Sequence, residues 1–536
     1  MPGLASEFSR RFAIANASCT KNERTFAMTV EGTVFLNREI NRFHTAISTG
    51  QYSTIDPADP FYDQVYHYLR ELKPAFFRSH NHYNDDYADS TGLDDFQIVE
   101  PYPPEHDAYQ WNFGQLDQKI LAELENCDRD TYVYNIRTCP VWMLDKTKPA
   151  PLFPHSSGEV RDKTYRQLAD FCTRIVGWYN RGGFIDEKGV FQQSGHFLNI
   201  KYWEILNEQD EAESAIYIKT GREYAQAYDA IVRAIKKADP GVLCGGPSQS
   251  CVPTEKHDLT YIREFLEYAE EKVDFLTIHY YSDQSGLLSP AGMKRLNQDL
   301  KDKPYERQYL ESIDDIGQYF RECVKLAEQF GAIPVFVSET NVCLDDRFDQ
   351  PLAWGEFSQG NFGAAWLGYL FKIASLSGIG RLQQYQFYSP LNRSRHLKNY
   401  LSLINNRTGE PHLTYRLIKA LNGLFPEGGV MVENDFAGDI EILAVKYPDR
   451  KRVVLLAVNK AISERTADRF IGEERQVDIR IDGCEIIEDS AKLLIFDRLN
   501  SGVEQAPDFN RSSAGGNRFR LTLQGYGAAL LDLEMV

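Results

Sequence analysis

The chain lacks the features that mark a membrane protein or a nucleic-acid-binding protein. Its most apolar stretch, residues 364–380, contains Lys372 and is too short to span a bilayer. Basic residues are also scarce, since 59 lysines and arginines stand against 77 acidic residues, and the formal net charge is −18. A protein that binds phosphate backbones needs a basic surface. We therefore expect neither a membrane nor a nucleic acid as a partner.

Cysteine is sparse as well. The 9 cysteines among 536 residues occur singly, without a Cys-x-x-Cys pair or a repeated spacing. An odd number of isolated cysteines in a long chain favours reduced thiols over a disulfide scaffold. Residues 1–19 contain Glu7, Arg10 and Arg11 and no apolar stretch typical of a signal peptide. These observations predict a cytoplasmic location.

Motifs for nucleotides and metals are incomplete. No Gly-x-Gly-x-x-Gly follows a strand pattern, and Gly245-Gly246-Pro247 lacks the lysine and the spacing of a phosphate loop. His80 and His82 have the spacing of zinc ligands, but no third ligand lies at a useful spacing from them. The sequence therefore predicts no cofactor and no metal.

Strand-like and helix-like segments alternate through most of the chain. The predicted strands are residues 39–44, 75–80, 131–142, 200–208, 242–247, 275–281, 335–339 and 382–388. A repeated strand-then-helix order predicts a parallel sheet with the helices outside it. Eight such units favour a (β/α)₈ TIM barrel over an open doubly wound sheet. The active site of such a barrel lies at the C-terminal ends of its strands.

The pattern changes after residues 426–429, Pro-Glu-Gly-Gly. Short strands separated by turn-rich loops follow and predict an accessory antiparallel β-sandwich over residues 426–536. Strand-like sequence near the N-terminus predicts that residues 1–36 pack onto this sandwich. Residues 37–425 are then the catalytic barrel.

Two of the predicted strands end on glutamates. The fourth ends on Asn207-Glu208 and the seventh on Glu339. Cleavage of a glycosidic bond needs a carboxylic acid that protonates the leaving oxygen and a carboxylate that attacks the anomeric carbon. We predict that Glu208 is the general acid and base and that Glu339 is the nucleophile. Asn207 is predicted to bind the sugar 2-hydroxyl.

Two further strands carry pairs of polar residues at their ends. Arg78 and His80 share one face of the second strand, and His279 and Tyr281 share one face of the sixth, because alternate side chains point the same way. In a barrel all four face the pocket and are candidates for substrate binding. Arg78 would keep Glu339 ionised, and Tyr281 would orient it.

These motifs resemble the glycoside hydrolases of clan A, and family 39 most of all, which includes β-xylosidases and α-L-iduronidases. The resemblance extends over about residues 35–425 and rests on Arg-x-His, Asn-Glu, Gly-Gly-Pro, His-x-Tyr and Glu at strands two, four, five, six and seven. It implies a retaining enzyme with a covalent glycosyl intermediate on Glu339. It also places Tyr385 where the family usually has a tryptophan under the sugar.

The sequence departs from the family at several positions. Trp-Asn-Glu-Pro-Asn is usual where this chain has Leu-Asn-Glu-Gln-Asp at residues 206–210, and Thr340 stands in place of a tryptophan. Tyr202-Trp203-Glu204 and Gln209-Asp210 are closer to the family 51 arabinofuranosidases. The acidic sugar-binding residue expected after the eighth strand is not evident in residues 389–393. These departures leave the two glutamates in place and the choice of sugar open.

The predicted function is a retaining exo-glycosidase that acts on pentose-containing oligosaccharides. A β-xylosidase is the first candidate and an α-L-arabinofuranosidase the second, while a carbohydrate-binding barrel without activity is an alternative of another class. The same residues would also serve a transglycosylase or a phosphorylase. Long loops at residues 81–112, 147–160 and 282–306 favour exo action, since such loops could wall the cleft.

The glycoside is the expected partner, and a homo-oligomer is left open. Glu204 is expected to pair inside the barrel.

Overall fold

Strands and helices alternate in the first part of the chain, and strands alone form the last part. The computed structural model describes residues 28–52, 54–81, 111–149, 158–210, 216–250, 258–282, 305–342, 358–390, 401–463, 471–505, 507–509 and 517–536. The first part contains, in chain order, β1 Met28–Arg42, β2 Ala46–Gln51, α1 Tyr62–Leu72, β3 Phe77–Asn81, α2 Gly114–Asn126, β4 Tyr132–Ile136, β5 Leu144–Pro149, β6 Gly158–Val160, α3 Arg166–Asn180, β7 Gly183–Ile185, β8 Phe191–Gln193, β9 Tyr202–Ile205, α4 Gly221–Ala238, β10 Leu243–Gln249, α5 Thr260–Tyr268, β11 Phe275–Tyr281, α6 Tyr305–Gln329, β12 Val335–Asn341, α7 Asn361–Leu376, β13 Arg381–Gln384 and α8 Leu413–Leu424. The last part contains β14 Val430–Asn434, β15 Ile440–Tyr447, β16 Arg452–Asn459, β17 Arg475–Asp482, β18 Lys492–Phe496, β19 Ser501–Gln505, β20 Asp508–Phe509, β21 Asn517–Leu523 and β22 Ala528–Glu534.

Eight parallel strands close into a barrel in the order β10-β11-β12-β13-β2-β3-β4-β9. This confirms the predicted (β/α)₈ fold class. The predicted first strand was wrong, however, because the barrel uses Ala46–Gln51 rather than residues 39–44. Residues 39–42 belong to β1, which pairs antiparallel with β14 through two register shifts.

Helices fix the ends of the barrel strands by hydrogen bonds as well as by apolar contacts. Helix α4 starts at Thr220, whose side chain caps the first turn. One turn apart on its buried face, Tyr224 donates its hydroxyl to the carbonyl of Ile205 at 2.7 Å, and Tyr228 donates to that of Cys244 at 2.9 Å. The first of these bonds holds the end of β9, where the chain approaches Glu208.

The barrel interior is apolar at the N-terminal ends of the strands. Four side chains form this layer: Phe76, Val133, Phe275 and Phe336. Two residues further along each strand, the inward positions are polar and buried: Arg78, Asn135, Thr277 and Ser338. The strands therefore carry a polar layer directly beneath the C-terminal mouth of the barrel.

The last part of the chain forms a ten-stranded sheet in the order β19-β18-β22-β16-β15-β14-β1-β17-β21-β20. Its pairs are antiparallel apart from β1 with β17, which run parallel. In β16, Val454 and Leu456 belong to the core shared with the barrel, whereas Val453 and Leu455 belong to a second core of the sheet itself. Because both faces are buried, this strand reads as a continuous apolar run rather than an alternating one.

Helix α7 joins the barrel to the sheet. Phe362 contacts Tyr526 edge-on with ring centroids 4.9 Å apart, and Lys372 Nζ lies 2.5 Å from Glu441 Oε2. Strand β1 belongs to the sheet and continues to Arg42, beyond the predicted division at residue 36. Among the described helices, none is long and apolar enough to cross a membrane.

Candidate active site

Glu208 lies at the mouth of the barrel, just after β9. The backbone adopts positive φ angles at Leu206 (65°) and Glu208 (52°), a conformation that is unfavourable for residues other than glycine. Two backbone bonds of 2.9 Å hold it, from Leu206 N to Ile136 O and from Glu208 N to Ser248 O. The side chain of Glu208 remains 22% exposed, so solvent can reach its carboxyl group.

Glu339 lies deeper, on β12, with a side chain only 7% exposed. It accepts hydrogen bonds from Arg78 Nη1 at 2.6 Å and from the Tyr281 hydroxyl at 2.8 Å. His80 Nδ1 lies 3.1 Å from the same oxygen that Arg78 contacts. Donors on β3 and β11, which lie on opposite sides of the barrel, therefore converge on this carboxylate.

His279 lies between the two glutamates. Its Nδ1 is 2.7 Å from Glu208 Oε1, and its Nε2 is 3.9 Å from Glu339 Oε1. One oxygen of each glutamate and one nitrogen of His279 all lie within 4.8 Å of one another. The two carboxyl groups are thus close enough to act on one anomeric carbon.

Arg78 connects the deeper part of the site. It is 2% exposed, and its guanidinium contacts five side chains, one of them His80 Nδ1 at 3.1 Å from Nη1. Nε lies 2.5 Å from Glu204 and Nη1 2.6 Å from Glu339, while Nη2 donates to Asn207 Oδ1 at 2.7 Å and to Ser248 Oγ at 3.0 Å. Burial lowers the pKa of Arg78, but the two carboxylates outweigh it and raise that pKa above its usual value. Arg78 is therefore a fixed positive charge.

The charges around Glu339 favour its ionised form. Burial raises the pKa of Glu339, but His279 and Arg78 outweigh that effect and hold the pKa well below its usual range. Burial lowers the pKa of His279, while Glu339 and Glu208 raise it, with a net increase. Burial raises the pKa of Tyr281 far above its usual value, so its hydroxyl stays a donor.

His80 and Tyr385 form one wall of the site. Burial lowers the pKa of His80 well below its usual value, so this histidine is neutral. Tyr385, which follows β13, meets His80 and Tyr52 edge-on at centroid distances of 6.4 and 6.0 Å. Tyr52 in turn accepts a bond from Arg137 Nη1 at 3.1 Å.

The structure brings all eight sequence-predicted site residues to the C-terminal end of the barrel: Arg78, His80, Asn207, Glu208, His279, Tyr281, Glu339 and Tyr385. Sequence reasoning missed Tyr52, Arg137 and Ser248. A signal existed for Arg137, which continues the inward alternation of Val133 and Asn135. Ser248 is the first polar residue after the Gly-Gly-Pro turn of β10.

The distances alone would allow a metal ion, since Glu208, His279 and Glu339 offer three ligand atoms within 4.8 Å of one another. Both nitrogens of His279 are engaged, with Glu208 at 2.7 Å and with Ser248 at 3.0 Å. Two cations, Arg78 and His279, already balance the buried carboxylates. The donor set therefore fits a hydrogen-bonded carboxylate pair better than a metal centre. His82 lies outside the described residues.

Comparison with known proteins identifies the class. Residues 197–352 match the model of the glycosyl hydrolases family 39. This range contains both glutamates, His279 and Tyr281. The match confirms the resemblance seen in the sequence and the enzyme class: the chain is a glycoside hydrolase. A search of curated protein sequences finds no match to the chain.

Solved structures share the fold at low sequence identity. The family 39 enzyme from Xanthomonas axonopodis pv. citri is 15% identical with a TM-score of 0.58, and the match covers 95% of this chain and 98% of that one. A monomeric β-xylosidase from Caulobacter crescentus is 15% identical with a TM-score of 0.57, covering 94% and 99%. A family 51 α-L-arabinofuranosidase from Bifidobacterium longum is 14% identical with a TM-score of 0.56, covering 94% and 99%.

Proposed function

We propose that this glycoside hydrolase is a retaining exo-glycosidase, with Glu339 as nucleophile and Glu208 as acid and base. The separation of the two glutamates carries the proposal, since an oxygen of each lies within 4.8 Å. Retaining enzymes hold their carboxyl groups about 5 to 5.5 Å apart, whereas inverting enzymes need a gap of about 6.5 to 9.5 Å to seat a water molecule.

In the first step, Glu339 attacks the anomeric carbon while Glu208 protonates the leaving oxygen. The environment of Glu339 suits attack, because Arg78 and His279 keep it ionised and Tyr281 fixes one of its oxygens. Asn207 Oδ1 accepts a hydrogen bond from Arg78 Nη2 at 2.7 Å. This bond orients the amide N–H groups of Asn207 toward a sugar hydroxyl.

In the second step, Glu208 takes a proton from a water molecule that attacks the glycosyl intermediate on Glu339. The exposure of Glu208, 22% against 7% for Glu339, supports this assignment of the two roles. Water can approach the more exposed carboxyl group, while the buried one carries the sugar.

A pentose-containing oligosaccharide is the proposed substrate, with a β-D-xyloside as the first candidate. The support is the resemblance to family 39 and the similarity in fold to a monomeric β-xylosidase. An α-L-arabinofuranoside is the second candidate, because Tyr202-Trp203-Glu204 resembles family 51 and an arabinofuranosidase shares the fold. Tyr385 and Tyr52 would contact the bound sugar in either case.

Exo action and a cytoplasmic location complete the proposal. The loops on which exo action depends lie largely outside the described residues. The cysteines among the described residues are free thiols, which supports a reducing compartment: Cys127, Cys139, Cys172, Cys244, Cys323 and Cys484. The oligomeric state is left open.

A panel of aryl glycosides tests the function. It contains the β-D-xyloside, α-L-arabinofuranoside, β-D-glucoside, β-D-galactoside and α-L-iduronide, each assayed with and without inorganic phosphate to detect phosphorolysis. We expect turnover of the β-D-xyloside that is lost in Glu339→Ala and strongly reduced in Glu208→Gln. Azide should restore turnover of Glu339→Ala with inverted product.

Glu123→Gln is the matched control. It removes a buried carboxylate on α2 that bonds the Tyr132 hydroxyl at 2.6 Å, outside the candidate site. Its activity should equal that of the unmodified chain. Full activity of Glu339→Ala would refute the nucleophile. Silence across the whole panel, together with binding of an oligosaccharide, would favour a carbohydrate-binding barrel instead.

A further inference from the structure

A chain of hydrogen bonds leads from Glu208 at the mouth of the barrel to Glu204 inside it. His279 Nδ1 lies 2.7 Å from Glu208 Oε1, and His279 Nε2 lies 3.0 Å from Ser248 Oγ. Ser248 Oγ then donates to Glu204 Oε1 at 3.2 Å. Glu204 is completely buried. The group proposed as the acid is thus connected to an interior carboxylate through two side chains.

The hydroxyl of Ser248 determines how this chain is ordered, because it has one proton and two lone pairs. Arg78 Nη2 donates to it at 3.0 Å. A charged His279 donates its Nε2–H as well. The serine proton then goes to the Glu204 carboxylate at 3.2 Å, a stronger acceptor than the Asn207 amide oxygen at 3.3 Å. A neutral His279 that accepts at Nε2 would take the serine proton and deprive Glu204 of its bond. The arrangement therefore favours the charged histidine.

The buried charges of the network balance without Glu208. Two cations, Arg78 and His279, stand against two carboxylates, Glu204 and Glu339, at contact distances of 2.5 to 3.9 Å. An uncompensated charge in a buried site is costly. The balance therefore holds only while His279 is charged.

We propose that Glu204, acting through Ser248, is a positioning residue whose negative charge keeps His279 charged beside Glu208. The inference rests on the proposed retaining mechanism and adds how the histidine between the two glutamates is held in its charged form. Without the charge of Glu204, the network would carry one excess positive charge. His279 would then lose a proton to restore the balance.

Among the described residues, the titratable and charged groups around His279 are Arg78, His80, Glu204, Glu208, Tyr281 and Glu339. His80 is neutral, because burial lowers its pKa. Asp210 accepts bonds from Ser250 at 2.7 and 3.0 Å. Tyr281 keeps its proton because burial raises its pKa. Glu204 is thus the interior charge whose removal tests the balance.

The pH dependence of kcat/KM in Glu204→Gln tests the proposal. Glutamine keeps the shape and removes the charge, so both limbs of the profile should move to lower pH by about one unit, since only two hydrogen bonds, of 3.2 and 3.0 Å, connect the lost charge to His279. On the basic side of the optimum, activity then falls about tenfold. Glu204→Asp, which restores the charge, should return the limbs toward their original positions. Glu123→Gln should leave both limbs unmoved.

A loss of activity that is equal at every pH in Glu204→Gln would show a merely structural role and overturn the proposal. A measurement independent of turnover uses the ¹⁵N-histidine NMR titration of the free enzyme, with the His279 signal assigned by its absence in His279→Gln. The pKa of His279 should fall in Glu204→Gln and in Ser248→Ala. Ser248→Ala removes a single oxygen and keeps the test available if Glu204→Gln does not fold.

The two readouts separate this inference from the proposed function. If the pKa of His279 is unchanged in both variants, the chain of bonds does not act as inferred, whatever the enzyme hydrolyses. If the pKa falls but no glycoside is turned over, the network is as described and the proposed function fails.

Discussion

Among single residues, Arg78 matters most to the site. Its planar guanidinium donates in fixed directions to Glu204, Glu339, Asn207 and Ser248, all within 3.0 Å. A lysine has the same charge but cannot bond these partners at once, because its three donors radiate from one nitrogen. The geometry of the guanidinium, as well as its charge, is therefore needed to orient Glu339 and Asn207.

Arg78→Lys should lower kcat/KM by roughly 100- to 1000-fold, since two or more bonds between charged groups are lost in the transition state. Steady-state kinetics on the preferred aryl glycoside measure this loss. The matched control is Arg233→Lys, which changes an exposed arginine paired with Glu270 and Glu271 and should stay within twofold. A loss of less than about threefold in Arg78→Lys would contradict the role given to the guanidinium.

Glu339 also links the site to stability. Its pKa in the folded protein is held well below the ordinary 4.5, so the ionised group stabilises the fold at pH values above 4.5. That stabilisation is lost as the pH falls through the folded-state pKa. Glu339→Gln removes this contribution, and its melting temperature should fall less steeply between about pH 5 and pH 3. Parallel curves for the two proteins in thermal scans would refute the low pKa.

At the scale of elements, the sequence predicted those strands best that are apolar along their length and end on polar residues. The sixth strand was predicted with its bounds, Phe275–Tyr281, and the seventh lacked only its last two residues, up to Asn341. The first strand, Ala46–Gln51, was predicted at the wrong residues, and the eighth, Arg381–Gln384, was predicted to extend too far. Their inward side chains Ser48 and Gln383 belong to the polar layer, so neither strand has an apolar pattern.

The strand-end motifs likewise predicted only the site residues that belong to the motifs themselves. Glu208, Glu339 and their strand neighbours follow from local pattern because each ends a recognisable strand. Ser248 acts through contacts with three other strands, β3, β9 and β11, which no local pattern reveals. Tyr52 lies beyond the end of a strand that was itself misplaced. Contacts across the barrel are set by tertiary packing, and this part of the site required the structure.

Closure of the barrel at β10 depends on a glycine. A Cβ at Gly245 would lie 2.4 Å from both the ring and the carbonyl oxygen of Phe275 on the adjacent strand. Gly245→Ala should therefore lower the free energy of unfolding by about 1 to 3 kcal/mol. Urea unfolding measures it. Gly423→Ala is the control, because Gly423 is an exposed position of α8 with open space around it, and alanine there should be neutral or stabilising by up to about 1 kcal/mol. Equal stability of the two variants would contradict the close packing of Gly245 against Phe275.

At the scale of the whole molecule, the barrel and the ten-stranded sheet share one core. Val454 and Leu456 on β16 lie in the same buried cluster as the barrel helices, whereas Leu455 faces the core of the sheet. Adjacent residues of one strand thus stabilise two different cores. The sheet and the barrel are expected to unfold together, because disrupting one core removes a wall of the other.

Leu455→Ala tests this coupling. All five tryptophans among the described residues precede the strands β14 to β22, so their fluorescence reports the barrel and not the sheet: Trp111, Trp142, Trp178, Trp203 and Trp366. The substitution should cost about 2 to 5 kcal/mol and lower the midpoint of the tryptophan transition, although Leu455 is outside the barrel. Leu499→Ala, at a position 69% exposed, should change nothing. A tryptophan transition unaffected by Leu455→Ala would show that the two parts unfold independently.

The stereochemistry of the first product tests the central claim most directly. Proton NMR during hydrolysis of the preferred aryl glycoside records which anomer of the sugar is released before mutarotation. The closeness of Glu208 and Glu339, with oxygens within 4.8 Å, predicts the same anomeric configuration as in the substrate. Release of the opposite anomer would contradict a covalent intermediate on Glu339 and would require a water molecule between the two carboxyl groups.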